Sequence, residues 1–262
     1  MKKISLALAC VVVCLLTSCF GEPGGWQEFP AYVLIDEDAA SVSLIDFYDG
    51  KKYIKFENLN KREHLANFEL EDARVAQVLM HFEYDESLEQ TATVLGARKV
   101  DILPMTNATP TDSLQPLAGL LPLINYQNSS YLSTLVCVND GYLMMSPSVC
   151  ASQADKYFLM PEKVVNDTLY LSLAASYKTD TDEFDNEDIF YDLRTLNDTN
   201  NTDTALRAKM REALNAIKEH KNDSMLIMLK YGEIEYNFNH MGGDTIRTRY
   251  KASNYFKCNF LK

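Results

Sequence analysis

Apolar and polar residues alternate with a period of two over most of this chain. Ile54 and Phe56 oppose Tyr53, Lys55 and Glu57, while Ala76, Val78, Met80, Phe82 and Tyr84 share one side of a longer segment. Its other side carries Gln77, His81 and Glu83. Thr91 to Ile102 reads as a further strand, and Gly96 inside it marks a bulge or a tight bend. Farther on, Leu169, Leu171 and Leu173 alternate with Thr168, Tyr170 and Ser172, and Ile234, Tyr236 and Phe238 alternate with Glu235 and Asn237. Such a pattern predicts antiparallel sheet with one face buried and the other wet. Met225 to Leu229 is apolar without a break, as a central strand covered on both sides would be.

One segment changes period. From Asp203 to Lys221, Leu206, Met210, Ala213, Leu214 and Ile217 recur at steps of three and four, which predicts a helix over 203–221. Asp203 at its start and Lys218, His220 and Lys221 at its end match the helix dipole. Its apolar stripe is expected to pack on the sheets; a partner-binding helix is the alternative. Pro104, Pro110, Pro116 and Pro122 fall within 19 residues and disfavour regular pairing there. The domain boundary is therefore expected in a linker at 105–122. Residues 26–104 then hold about five strands, enough for a small β-barrel. Residues 123–262 hold about eight, enough for an antiparallel β-sandwich carrying the one helix.

The N-terminus reads differently from the rest. Lys2 and Lys3 precede an apolar run from Ile4 to Leu16 that only Ser5 interrupts. As a helix that run spans about 20 Å, short of a hydrocarbon core of about 30 Å, so it predicts a removable signal peptide over 1–18. Leu16-Thr17-Ser18-Cys19 ends it. Small residues followed by Cys are the lipoprotein cleavage pattern, whose thiol accepts diacylglycerol before cleavage, and Cys19 is the expected lipidation site. Several acyl chains together give the stable membrane anchor that one chain cannot. Residues 19–25, with Gly21, Pro23, Gly24 and Gly25, form a tether. Phe20 and the absence of an acidic run favour the outer membrane with the protein facing the periplasm.

Removing 1–18 takes away two lysines and no acids, moving the formal net charge from −12 to −14. That balance argues against nucleic acid or anionic lipid as a partner. The one basic stripe, Arg247, Arg249 and Lys251, is expected to be a solvated strand face. Three cysteines remain beyond Cys19. Cys137 and Cys150 could bridge across a hairpin through Asn139-Asp140-Gly141, or all three, Cys258 included, stay buried thiols.

Several short stretches resemble the NigD-like lipoproteins of Bacteroidetes. Phe47-Tyr48-Asp49-Gly50 followed by Tyr53-Ile54-Lys55-Phe56 is similar to that family's opening strand, acidic-Gly turn and strand. Glu71-Asp72-Ala73-Arg74-Val75 resembles its Asp-Gly-Gln-Arg-Val segment, with Ala73 departing from it. Lys99-Val100-Asp101-Ile102-Leu103 stands where the family's barrel closes. Ser130-Tyr131-Leu132 resembles the Gly-Tyr-Leu that opens its sandwich. Leu169-Tyr170-Leu171, an acidic loop and Tyr191-Asp192-Leu193 match the later pattern. The resemblance implies an N-terminal OB-type barrel and a C-terminal β-sandwich, with the helix at 203–221 as an insertion. It implies no activity.

The acidic loop from Asp180 to Asp188 is the densest candidate for chemistry. Asp180, Asp182, Asp185 and Asp188 could ligate a hard cation, yet Phe184 takes the place of a third ligand and no glycine makes the sharp turn. The four histidines, His64, His81, His220 and His240, lack zinc-site spacing, and no nucleophile elbow or phosphate loop occurs. No cofactor is expected beyond the acyl lipid. Asp precedes Ser113, Thr168, Thr204, Ser224 and Thr245, each followed by an aliphatic residue. These triplets look like the acceptor of Bacteroidetes O-glycosylation, although Asp-Ser/Thr also marks turns and caps. The expected function is a non-catalytic envelope module whose tyrosine-rich strand faces bind a glycan or protein partner. The alternative is a carboxylate-dependent, metal-assisted hydrolase acting on envelope or glycan substrates.

Overall fold

The computed structural model describes residues 27–36, 42–45, 55–59, 61–83, 91–105, 122–125, 132–138, 141–149, 154–177, 185–186, 188–202, 204–235 and 245–262. They are mostly β, in several sheets, with one helix longer than two turns. Contacts divide them into two compact units at Val100 and Asp101.

In the first unit the strands are β1 (Gln27–Ile35), β2 (Val42–Leu44), β3 (Lys55–Phe56), β4 (Val75–Glu83) and β5 (Thr91–Lys99). A short helix, α1 (Arg62–Leu65), lies between β3 and β4. The strand order is β2-β1-β4-β5-β3, with β3 parallel to β5. This is the connectivity of an OB-type domain, a partly open five-stranded form. No closed barrel forms among the described residues; residues 46–54, between β2 and β3, lie outside them. Ala76, Val78 and Met80 are fully buried with Val33, Ile35, Phe56, Ala92 and Val94, as the alternation requires. The bulge expected at Gly96 is present: Leu79 pairs with Gly96 and Met80 with Val94, leaving Leu95 unmatched.

The second unit begins earlier than its prolines imply. Ile102–Pro104 forms β6, which runs parallel to a later strand of this unit and so does not end the first sheet. Next come β7 (Pro122–Asn125), β8 (Leu132–Val138), β9 (Tyr142–Val149), β10 (Ala154–Val165), β11 (Thr168–Tyr177), β12 (Asp185–Asn186) and β13 (Ile189–Asp192). The helix α2 (Thr204–Glu219) leads to β14 (Ser224–Glu235), β15 (Thr245–Ala252) and β16 (Phe256–Lys257). They make a six-stranded sheet, β10-β11-β14-β15 with β7 and β16 also on β14, and a five-stranded sheet, β12-β9-β13-β6 with β8 on β9.

The sandwich is mixed and not antiparallel throughout, because β11·β14, β7·β14 and β6·β13 are parallel. Period two is the same in both kinds of sheet, so the sequence pattern cannot tell them apart. A parallel pair requires a crossover, and the segment from β11 to β14 contains α2. Leu206, Met210, Ala213 and Ile217 of α2 join the core made by Leu159, Leu169, Leu171, Leu173, Ile227 and Leu229. The helix expected over 203–221 is therefore present at 204–219 and is part of the fold.

Two asparagines extend ladders with their side chains. Asn254 accepts from the Cys137 N–H at 2.7 Å and donates Nδ2 to its carbonyl at 3.0 Å, pinning the edge of β8. Asn58, just past β3, treats Val94 in the same way at 2.8 and 2.7 Å.

Candidate binding face

Register alone assigns the two faces of the six-stranded sheet. Leu171 pairs with Leu229, and Leu229 with Lys251; Leu169 pairs with Ile227. Those leucines and Ile227 are buried, so this is the core side. The intervening rows face the other way. One holds Lys163, Tyr170, Met228 and Ala252; the next holds Met160, Ser172, Lys230 and Tyr250.

On that outer face the polar groups are largely matched to one another. Lys163 Nζ stands 5.0 Å from the centre of the Tyr170 ring. Lys230 Nζ donates to Glu162 Oε1 at 3.0 Å; Glu162 falls in the bulge between Pro161 and Lys163, which lets its carboxylate reach across β11. At the end of the sheet Tyr255 donates to Asp167 Oδ2 at 3.3 Å, over the Asn166–Asp167 turn between β10 and β11. Tyr250 stands apart. Its side chain is 59% exposed and makes no hydrogen bond or ring contact among the described residues.

The basic stripe is solvated only in part: Arg247 is exposed, while Arg249 and Lys251 are half-buried. Arg249 and Lys251 pair with buried Tyr231 and Leu229, which puts them on the core side of edge strand β15, and Arg247 follows in the same row opposite Glu233 at the exposed end. Lys251 is half-buried, and burial pushes its pKa down. Inward charges on an edge strand oppose pairing with a further strand. Thr248, Tyr250 and Ala252 form the exposed side.

The acidic loop does not come together as a described site. Asp180 and Asp182 lie outside the described residues, and Asp185 begins β12 opposite Val149. Asp188 Oδ1 accepts from the Ser146 hydroxyl. Among the described residues no three His, Cys, Asp or Glu side chains are grouped to hold a metal ion.

The hairpin expected between Cys137 and Cys150 exists, joining β8 to β9 through Gly141. Cys137 is a buried free thiol opposite Leu143. Cys150, the other member of the possible bridge, lies outside the described residues. Burial pushes the thiols of Cys137 and Cys258 up.

Of the acceptor triplets, Thr204 and Ser224 are exposed at the starts of α2 and β14, and Asp223 is held by Lys262 at 2.7 Å. Thr168 is half-buried beside Asp167, and Thr245 opens β15 opposite Glu235. Ser113 and Cys19 lie outside the described residues. The asparagine brackets gave no sequence signal, because Asn254 and Cys137 are 117 positions apart.

No family model matches the chain, and no curated protein matches it in sequence. Solved structures do. A protein of Bacteroides fragilis described as a lipoprotein superposes with a TM-score of 0.50 at 11% identity, over 87% of this chain and 98% of its own. A NigD-like immunity protein from Bacteroides caccae matches 84% of this chain and 91% of its own, at 13% identity and a TM-score of 0.40. A protein of unknown function from Bacteroides vulgatus gives 9% identity and a TM-score of 0.37 over 87% and 91%. At these identities the shared property is the fold: this chain has the fold of the Bacteroides fragilis protein over nearly the whole of both.

Proposed function

We propose that the mature protein is a lipid-anchored, non-catalytic binding module of the cell envelope, and that its binding surface is the outer face of the six-stranded sheet. Tyr250 carries this reading. A large ring at 59% exposure, on a paired strand and without a side-chain partner among the described residues, is contact area open to a ligand. The tethering half rests on Lys2, Lys3, the apolar run and Cys19, and on the description of the Bacteroides fragilis protein of the same fold as a lipoprotein. We place it at the outer membrane facing the periplasm, with O-glycosylation proposed at Thr204 and Ser224, the acceptor residues that stand exposed.

The test is capture from solubilised envelope by the mature chain made without lipid. The wild type is expected to retain a ligand that a Tyr250→Ala variant releases. Equal retention by both would remove the face from consideration, and no retention by either would remove the binding reading.

A further inference from the structure

Resting on the attachment through Cys19 proposed above, we infer that the first unit docks on the lipid surface that anchors it, through an apolar patch made by Leu79 and Leu95. These leucines are 41% and 50% exposed, and they are neighbours. Leu79 pairs with Gly96, and the bulge sets Leu95 beside Gly96. Both stand on the side of the sheet away from the core made by Ala76, Val78 and Met80. Pro30 on β1, itself exposed, is the register partner of Leu79 on its other flank. Apart from the chain neighbours of Gly96, no heavy atom lies within 4 Å of where a side chain there would begin. The surface beside the two leucines is open.

What brings lipid to this patch is the length of chain between it and the anchor. Eight peptide bonds separate Cys19 from Gln27, where β1 begins, so the acylated residue lies at most about 28 Å from that end of the strand. Leu79 lies three residues along β1 and one strand across, about 10 Å one way and about 5 Å the other. The patch is thus well inside the reach of the tether. A bilayer held that close meets it at high effective concentration, so a contact too small to bind free protein still counts once the chain is attached. The contact is apolar: with 23 basic and 37 acidic side chains after loss of 1–18, the chain has no general attraction to anionic headgroups. Aliphatic side chains gain by entering the acyl boundary in proportion to the area they bury there.

Quenching of tryptophan by brominated acyl chains, which acts only near contact, tests this. The chain has one tryptophan, Trp26. In a Trp26→Phe background, Leu95→Trp places the reporter in the patch of the lipidated protein, reconstituted in phosphatidylcholine vesicles carrying the brominated lipid. The protein is expected to float with the vesicles and its reporter to be quenched, at 10 mM and at 1 M salt alike. Leu79→Ser removes a neighbouring apolar contact and is expected to lower the quenching by about half. Gly96→Val, at a backbone position that accepts a side chain without strain, is expected to raise it. The Cys19→Ala form should neither float nor be quenched. An unquenched reporter on protein that floats overturns the docking and leaves the anchor standing, as does quenching indifferent to Leu79→Ser. Lipid-modified protein that fails to float overturns the anchor and the docking together.

Discussion

Cys137 lies on the edge of β8, where its N–H and carbonyl have no neighbouring strand among the described residues and meet the Asn254 amide instead. An amide both donates and accepts, so it can stand in for a peptide group; a carboxylate cannot. Asn254→Asp keeps the acceptor, loses the donor and sets a charge against the Cys137 carbonyl, while Asn254→Ala abandons both bonds. Each is expected to lower stability by about 1–3 kcal/mol in urea unfolding, and Asn58→Ala by a similar amount. Asn200, exposed in a local turn, is the comparison, and its alanine variant should shift stability by less than about 0.5 kcal/mol. The buried thiols add a pH dependence. Burial raises both pKa values, so below the ordinary value of 9.0 folded and unfolded chains alike hold these protons. Above it the unfolded chain ionises first, binds fewer protons, and gains relative to the fold. Stability should therefore fall as pH rises beyond about 9, and a Cys137→Ala, Cys258→Ala variant should show a shallower fall when unfolding midpoints are followed from pH 8 to 10.5.

Single strands were legible in the sequence where one face is buried. Ala76, Val78 and Met80, and again Leu169, Leu171 and Leu173, are buried as their alternation predicts, and Gly96 announced its bulge. Three things were not legible, each for a physical reason. Pairing direction leaves no mark on a period-two pattern, which hid the parallel β11·β14 contact. A short apolar strand such as Ile102–Pro104 does not say which sheet it joins, which displaced the boundary. An edge strand with charge on one side and tyrosine on the other does not reveal its inward side, and in β15 the basic row is solvated at Arg247 but half-buried at Arg249 and Lys251. The helix shows what this means for stability. Read as an insertion, α2 would be dispensable; as part of the β11-to-β14 crossover, with four residues in the core, it is not. Met210→Ala should cost about 2–5 kcal/mol, whereas Lys209→Ala, one position away on the exposed side, should cost less than about 0.5 kcal/mol. Equal and small effects in thermal unfolding would return α2 to the status of an appendage.

For the whole molecule the question is what holds it at a membrane. No helix among the described residues is long and apolar enough to cross one. The formal charge opposes adsorption: after loss of 1–18 the chain carries 23 basic and 37 acidic side chains, and an anionic bilayer repels such a surface. Under the proposed attachment through Cys19, no weak electrostatic binding is left when the lipid is absent. Cys19→Ala is accordingly expected to move the protein from the membrane pellet to the soluble fraction, at 10 mM and at 1 M salt alike, and to abolish incorporation of labelled palmitate. The described core begins at Tyr32, so the thermal transition of the released protein should match that of the wild type after detergent extraction. A Cys19→Ala protein that still pellets at low salt and is released at high salt would mean that a charged surface makes the attachment. One that pellets at both would place the anchor in another apolar segment. In either case the proposed attachment through Cys19, and with it the proposed envelope location, would have to be assigned afresh.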